Sequence, residues 1–328
     1  MAGPTARTVR RLALASVVAN AAIVVTGGAV RLTSSGLGCP TWPRCTATTY
    51  TPTAAYAAHG VIEFTNRLLT FALTAVVVAT LVAVVRQRPR RPDLIRPATG
   101  LVLGIPAQAV LGGITVLTGL NPWTVMAHFL LSMVLLATAV LLHSRAGEHE
   151  PQSVPAPLRG LTLGVLAVVA VTLAVGTVVT GSGPHSGDVH AGRTGFNPAS
   201  VSQLHADLVM LLVGLSVAVW VALAAAGAPV VAVRAARTLL IVEVAQAAIG
   251  WTQYFTHLPV ALVGAHLAGA CLVLVTACRL VLSAPSPRSA AGRTEDRARP
   301  SARPGAPDPA EDQTPGWYGK KRPEPASR

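Results

Sequence analysis

Four histidines, His59, His128, His205 and His266, stand one per hydrophobic stretch in this 328-residue chain. An ionisable side chain inside a bilayer is costly, so an intramembrane histidine is read first as functional. Neutral imidazole is a common metal ligand and can hold haem iron from the side. His128 lies six residues after Pro122, His266 seven after Pro259 and His205 seven after Pro198. Each therefore stands about 10 Å below the helix end that its proline marks, at about 1.5 Å of rise per residue. A lone helix histidine is usually a packing residue. Three at matched depth point to iron ligation, with His205 and His266 as one pair and His128 in a second site.

His59 fits less simply. It follows Pro52 by seven residues, the spacing of His205, yet distances to the next helix single out Asn66 instead. The interval from Asn66 to Gln108 matches that from His205 to Gln246 to within one position, whereas His59 stands a further seven positions back. His59, Glu63 and Asn66, spaced four and three apart, share one helix face. Two turns, about 10 Å, separate His59 from Asn66, so both cannot ligate one iron. His59 is either a ligand to a displaced iron or a helix-entrance histidine hydrogen-bonded to the outer loop or to a haem propionate. Glu63 has a single cationic neighbour, Arg67, one turn on. A carboxyl in that setting suits proton transfer or substrate orientation. The alternative is an intrahelical Glu63–Arg67 pair, and Arg67 can also pair bidentately with a propionate.

The other polar residues carry less. Glu243 is expected near the inner membrane face and Asp207 near the outer one. His185, His190 and His257 fall in outer loops, His143 and His149 in the inner loop, all as solvated residues; a copper site from His185 and His190 has no support. Cys39 and Cys45 share the first outer loop, on the oxidising side where a disulfide persists, so a bridge is expected over two free thiols. Cys271 and Cys278, seven apart on one helix face, read as small buried residues.

The elements that position these residues are membrane helices. The chain is 52% hydrophobic and 12% charged, with mean hydropathy +0.54, whereas a soluble domain carries about 25% charged residues. Eight apolar stretches of about 20 residues are long enough to span. They lie at 11–30, 55–85, 97–118, 123–143, 159–181, 203–227, 236–255 and 259–282. Continuous rather than alternating runs favour helices over a barrel. The net charge of +13 is explained by loops rather than by nucleic acid. Arg7, Arg10, Arg11, Arg86, Arg88, Arg90, Arg91, Arg96, Arg145, Arg159, Arg234 and Arg237 mark one side, against Arg31, Arg44 and Arg193 on the other. Positive-inside then places both termini in the cytoplasm. The first stretch shows no clear cleavage site and is kept as a helix.

The chain also repeats itself. Ala107-Gln108-Ala109 with Gly112 recurs as Ala245-Gln246-Ala247 with Gly250, and His128 and His266 differ by the same offset of 138 in numbering. Val24-Val25-Thr26-Gly27 recurs as Val178-Val179-Thr180-Gly181. Helices 1–4 and 5–8 thus read as two parallel copies of a four-helix bundle, with sites between facing helices. The expected domains are an N-terminal lobe at 1–143, a cytoplasmic linker at 144–158, a C-terminal lobe at 159–282 and a disordered tail at 283–328. No phosphate-binding glycine loop, nicotinamide fingerprint, Cys-x-x-Cys-His motif or zinc-protease motif occurs, so any haem is non-covalent.

These residues resemble the haem A synthase family. The matching pieces are Thr26-Gly-Gly-Ala-Val-Arg31-Leu-Thr, Ser35-Gly-Leu-Gly-Cys39-Pro-Thr-Trp-Pro-Arg-Cys45, Ile62-Glu63-Phe-Thr-Asn66-Arg67, Gln203-Leu-His205 and Ala265-His266-Leu. The likeness covers about residues 11–282. It implies an enzyme that oxidises one methyl group of haem O to a formyl group, yielding haem A for haem-copper oxidases. It implies a b-type haem held by His205 and His266, and haem O bound in the N-terminal half with His128 as one ligand. It also implies a catalytic Glu63 and paired outer-loop cysteines at Cys39 and Cys45. The chain departs from the family at Asn66, where a histidine is usual. Either His59 replaces that ligand or the substrate iron keeps one protein ligand, with a face open to oxygen. Expected partners are oxygen or water, a quinol or redox protein as electron donor, a haem O synthase, the terminal oxidase assembly and membrane lipid. The alanine-, glycine- and arginine-rich composition suits a bacterial plasma membrane. A di-haem b-type electron-transfer protein is the rival reading; a transporter lacks the recurrent helix breaks it would need.

Overall fold

A computed structural model describes residues 3–147 and 153–285. Among them are eight long helices: α1 Ala6–Leu32, α2 Ala57–Arg86, α3 Pro92–Leu117, α4 Pro122–Arg145, α5 Ala156–Ser182, α6 Pro198–Ala225, α7 Val230–Phe255 and α8 Val260–Ser283. No strand occurs among the described residues. The expected all-α membrane fold is therefore present, with α1, α3, α5, α6 and α7 each starting several residues before its apolar window. The reason is capping: a helix continues until its end groups find partners, whatever its hydropathy. Thr5 caps α1 by accepting from the Thr8 N–H, and Asn197 caps α6 by accepting from Ala199 and Ser200. Pro92, Pro122 and Pro198 occupy first-turn positions, where no N–H is needed.

Seven of these helices are long and apolar enough to cross a membrane, and the protein is a multi-pass membrane protein. The exception, α7, is as long but carries Arg234, Arg237 and Glu243. The tight turns before α4 and α8 share one backbone solution. Gly119 and Leu120 adopt positive φ of 61° and 59°, and His257 and Leu258 adopt 63° and 59°. The two pairs stand at the same offset as His128 and His266, so the duplication extends to turn geometry.

Helices α1, α2, α3 and α4 touch in a closed ring, and α5, α6, α7 and α8 form a second. The rings meet where α8 lies on α1 and α4, and α4 on α5. One apolar core, with Val9, Leu73, Leu101 and Leu142, lies inside the first ring. The other joins Val165, Leu212, Leu239 and Leu274 to Val24 and Leu136 of the first ring, so burial is continuous across the junction. Polar contacts reinforce both ends. At one end, the Arg31 Nε donates to the His185 carbonyl at 2.6 Å and its Nη2 to the Thr180 carbonyl at 3.0 Å. At the other, Arg91 pairs with Asp93 and donates to the Arg145 carbonyl, while Arg159 donates to the carbonyls of Val281 and Ala284. Cations at helix C-termini are favoured by the aligned peptide dipoles. The arginines expected as inner-face markers are thus also helix clamps. The expected tail at 283–328 begins within α8, and its residues 286–328 lie outside the described residues, as do 148–152 with His149.

Helix α3 approaches α4 closely at Gly104, where an added Cβ would collide with the Leu135 Cδ2. Gly104→Val is expected to destabilise the protein by about 1–3 kcal/mol through overpacking, read as a lower melting temperature in detergent. Gly100→Ala, which meets nothing within 4 Å, serves as the control and should melt no lower than the parent.

Candidate functional site: paired imidazoles between helices

The second ring brings His205 of α6 and His266 of α8 together edge to face. Their ring centroids lie 6.4 Å apart with planes at 69°. The Nδ1 of each is buried and has no hydrogen-bond partner among the described residues. Unpaired buried polar atoms are few in folded proteins and call for an explanation. Glycines make room for the rings. A Cβ on Gly176 of α5 would lie 3.0 Å from the His205 Cε1, and one on Gly250 of α7 would lie 3.1 Å from the His266 Cε1. The Gln246 Nε2 donates to the His266 carbonyl at 2.6 Å, tying α7 to α8 at the level of the pair.

The same construction recurs in the first ring. A Cβ on Gly112 of α3 would lie 3.1 Å from the His128 Cε1. The Gln108 Nε2 donates to the His128 carbonyl at 3.1 Å and to the Ser132 hydroxyl at 2.5 Å. The His128 Nδ1 is buried and unpaired, and so is the Asn66 Oδ1 on α2. The repeat markers Gln108, Gln246, Gly112 and Gly250 are legible in the sequence as a pattern; that they seat histidines is visible only once α3 faces α4 and α7 faces α8.

The donor chemistry of these sites suits haem. No group of three or more His, Cys, Asp or Glu that could hold a metal ion occurs among the described residues. A structural or catalytic zinc takes three or four protein donors. Two imidazoles suffice where a porphyrin supplies the remaining positions. The 6.4 Å between ring centres accommodates one iron, since two metal–nitrogen bonds of about 2 Å leave about half an imidazole width on each side.

Glu63 and Arg67 are drawn into the first outer loop. Cys39 and Cys45 form a disulfide and both are fully buried. The Glu63 Oε2 accepts from the Cys39 N–H at 2.6 Å, and Oε1 pairs with the Arg67 Nη2 at 2.6 Å. Arg67 also donates to the carbonyls of Cys39, Thr41 and Arg44. Carboxylate and guanidinium together fasten the cysteine loop over the outer end of α2. The intrahelical pair, one of the two alternatives the sequence leaves open, is therefore present, with an added role as loop anchor. His59 is exposed, and its Nδ1 lies 2.9 Å from the Ser35 hydroxyl, which is the loop contact rather than a place beside Asn66.

Three sequence expectations change. Glu243 is not near the inner face: it sits midway along α7, 3% exposed, and accepts from the Ser216 hydroxyl at 2.9 Å. His143 is not in the inner loop but in the last turn of α4, its Nδ1 3.3 Å from the Arg10 carbonyl. His185 is not simply solvated, because its Nε2 lies 3.0 Å from the Leu258 carbonyl, holding the second outer loop to the α7–α8 turn. His190 and His257 are exposed, and Asp207 accepts from the Gln203 amide at the surface. Cys271 and Cys278 are buried free thiols, as expected.

The chain is similar to proteins of one known family. The family described as cytochrome oxidase assembly protein, COX15-CtaA, matches residues 10–185. Relatives named Heme A synthase include one from Symbiobacterium thermophilum, 34% identical over 146 residues, covering 44% of this chain and 46% of the relative. Another, from Halalkalibacterium halodurans, is 32% identical over 156 residues, 47% of this chain and 52% of the relative. A third, from Geobacillus kaustophilus, is 30% identical over 106 residues, 32% of each. The matched stretch thus spans about half or less of these relatives.

Removing one partner of a buried ion pair costs about 3–5 kcal/mol, whereas replacing both with apolar groups costs far less. Arg67→Ala is therefore expected to lower the melting temperature and to speed reduction of the Cys39–Cys45 bridge by a soluble thiol. The double variant Glu63→Gln/Arg67→Met should recover much of the stability. Unchanged reduction kinetics in Arg67→Ala would show that the loop is held by something else.

Proposed function

The chain belongs to the COX15-CtaA family of cytochrome oxidase assembly proteins, and from that premise we propose that it oxidises a methyl group of haem O to a formyl group, giving haem A. The observation that carries this reading is the His205–His266 pair, two half-buried imidazoles 6.4 Å apart whose Nδ1 atoms are buried and unpaired among the described residues. The relatives named Heme A synthase supply the substrate.

In this reading His205 and His266 hold a resident b-type haem in a C-terminal lobe, residues 159–282. When bound, that haem supplies one-electron chemistry, which no side chain here can provide. Gly176 and Gly250 keep the two rings from being displaced, and Gln246 fixes the backbone of His266. Haem O is the substrate of the N-terminal lobe, residues 1–143, with His128 as its protein ligand. His59 is assigned to the substrate's periphery, through the outer loop that it contacts at Ser35.

Glu63 serves proton transfer or substrate positioning. Its oxygens are fixed by the Cys39 N–H and Arg67, so a proton or a substrate group would meet it at a defined place. Arg67 provides the cation that a haem propionate requires. The oxygen atom comes from molecular oxygen or water, and electrons from a quinol or a redox protein. The cytoplasmic linker joins the lobes, both termini face the cytoplasm, and the membrane is the bacterial plasma membrane. A haem O synthase and the terminal oxidase assembly are the neighbouring steps in supply and use.

The test is co-expression of the full chain with a haem O synthase, followed by extraction and chromatography of haems. Haem A or its hydroxylated precursor is expected. Haem B alone, with haem O unconverted in a folded and inserted protein, would replace this reading with a di-haem electron-transfer protein. In the same preparation, His205→Ala and His266→Ala should each lose the spectrum of an iron held by two imidazoles while the helices stay folded by circular dichroism.

A further inference from the structure

Glu243 is a buried carboxyl with no part in the chemistry assigned to the two lobes. It sits midway along α7 and is 3% exposed. Its Oε1 accepts from the Ser216 hydroxyl of α6 at 2.9 Å, and Ser216 is itself buried. Its Oε2 is buried with no partner among the described residues. Helices α6 and α8 pack against α7. The titratable groups of α6 are His205 and Asp207, eleven and nine residues from Ser216. Those of α8 are His266, Cys271, Cys278 and Arg279, the thiols buried and Arg279 exposed. On α7 itself, Arg234 and Arg237 are exposed. Among the described residues, no basic group forms an ion pair with Glu243.

The other half of the chain fills the same place without polar groups. The offsets that align Gln246 with Gln108 and His205 with Asn66 carry Glu243 onto Ile105 and Ser216 onto Val77. Both are buried in the apolar core of the first ring. Exchanging both partners of a buried hydrogen bond for apolar groups of the same shape costs little, so packing alone does not call for Ser216 and Glu243. A buried carboxylate without a cation, in contrast, is far more costly than the neutral acid. An ionisable group kept among membrane helices at that cost is read as functional.

Its place on α7 indicates the function. Glu243, Gln246 and Gly250 are spaced three and four apart and share one helix face. Gly250 lies against the His266 ring, and Gln246 holds the His266 carbonyl. Glu243 therefore stands two helical turns, about 10 Å, from the level of that ring. Buried charges at such a separation are screened far less than exposed ones.

We propose that Glu243 is a proton-binding site linked to the electron held at the His205–His266 pair. This rests on the reading of that pair as the seat of a b-type haem. In the oxidised protein the Glu243 carboxylate balances the one positive charge that iron(III) leaves on its porphyrin core. One electron, from a quinol or a redox protein, removes that charge. Glu243 then takes one proton from water and becomes the neutral acid, so electron and proton arrive together and the interior gains no net charge.

The test uses the full-length protein purified with its haem. Reduced-minus-oxidised infrared difference spectra should show a carboxylic acid C=O band that appears on reduction, shifts in D2O and is missing in E243Q. The midpoint potential should fall as pH rises, by up to tenfold in the reduction equilibrium per pH unit, about 59 mV for one electron. E243Q should have a smaller slope than the parent, because its amide keeps an acceptor for Ser216 but takes no proton. S216V/E243I, which copies Val77 and Ile105 of the first half, should fold and match E243Q. The parent's slope in E243Q or in S216V/E243I, or no such band on reduction, would each overturn the proposal. A purified chain without the spectrum of iron held by two imidazoles would sink the reading beneath it, and the proposal with it.

Discussion

An imidazole buried among helices needs a neighbour that gives up its own side chain, and the architecture follows from that requirement. Gly112, Gly176 and Gly250 are the residues that yield. Each sits on the helix preceding its histidine's helix in the ring, so the contact fixes both the approach and the rotation of one helix on the next. Glutamines set the axial register. The Nε2 of Gln108 and of Gln246 donates to the carbonyl of the histidine it faces, while each Oε1 is buried without a partner among the described residues. A glycine stands against each of the three rings, and an amide also fixes the backbone of His128 and of His266.

The two halves differ at the residues that surround their histidines and in how their first loops are closed. In the second, two histidines converge on one space and the outer loop is pinned by a histidine–carbonyl contact at Leu258. In the first, asparagine replaces one histidine and the outer loop is closed by a disulfide whose backbone is held by Glu63 and Arg67. The second half also buries a carboxyl, Glu243, whose equivalent in the first repeat is Ile105. Comparison of the two halves shows which residues differ at equivalent places.

Much of this is legible in the chain. Helices, their number and the depth of three histidines follow from apolar run length and proline position, because a bilayer leaves the backbone few choices. The departure at Asn66 is legible from interval counting. Which faces meet is not. Gln108 and Gly112 announce themselves as repeat markers, yet their partner lies across a turn whose two left-handed residues set the crossing. Sequence alone sets Glu243 too near the inner face because Arg234 and Arg237 suggest a membrane edge there, whereas α7 begins at Val230 and holds both arginines within its first turns. Long arginine stems can reach the interface from inside a helix, so charge alone marks membrane edges poorly. The backbone partner of Glu63 escapes a local reading because the loop that returns to it is 24 residues away in sequence.

The Arg31 bridge has a consequence for symmetry. The offset that aligns α1 with α5 also carries Arg31 onto His185, and these two residues touch, the guanidinium donating to the His185 carbonyl. A residue in contact with its own counterpart lies on the axis relating the halves. In a dimer of two identical four-helix units, the same place would bring two guanidinium groups of like charge together. Covalent fusion of two unlike halves places one guanidinium there against a main-chain carbonyl, and the ring of the counterpart residue is left to hold the Leu258 carbonyl.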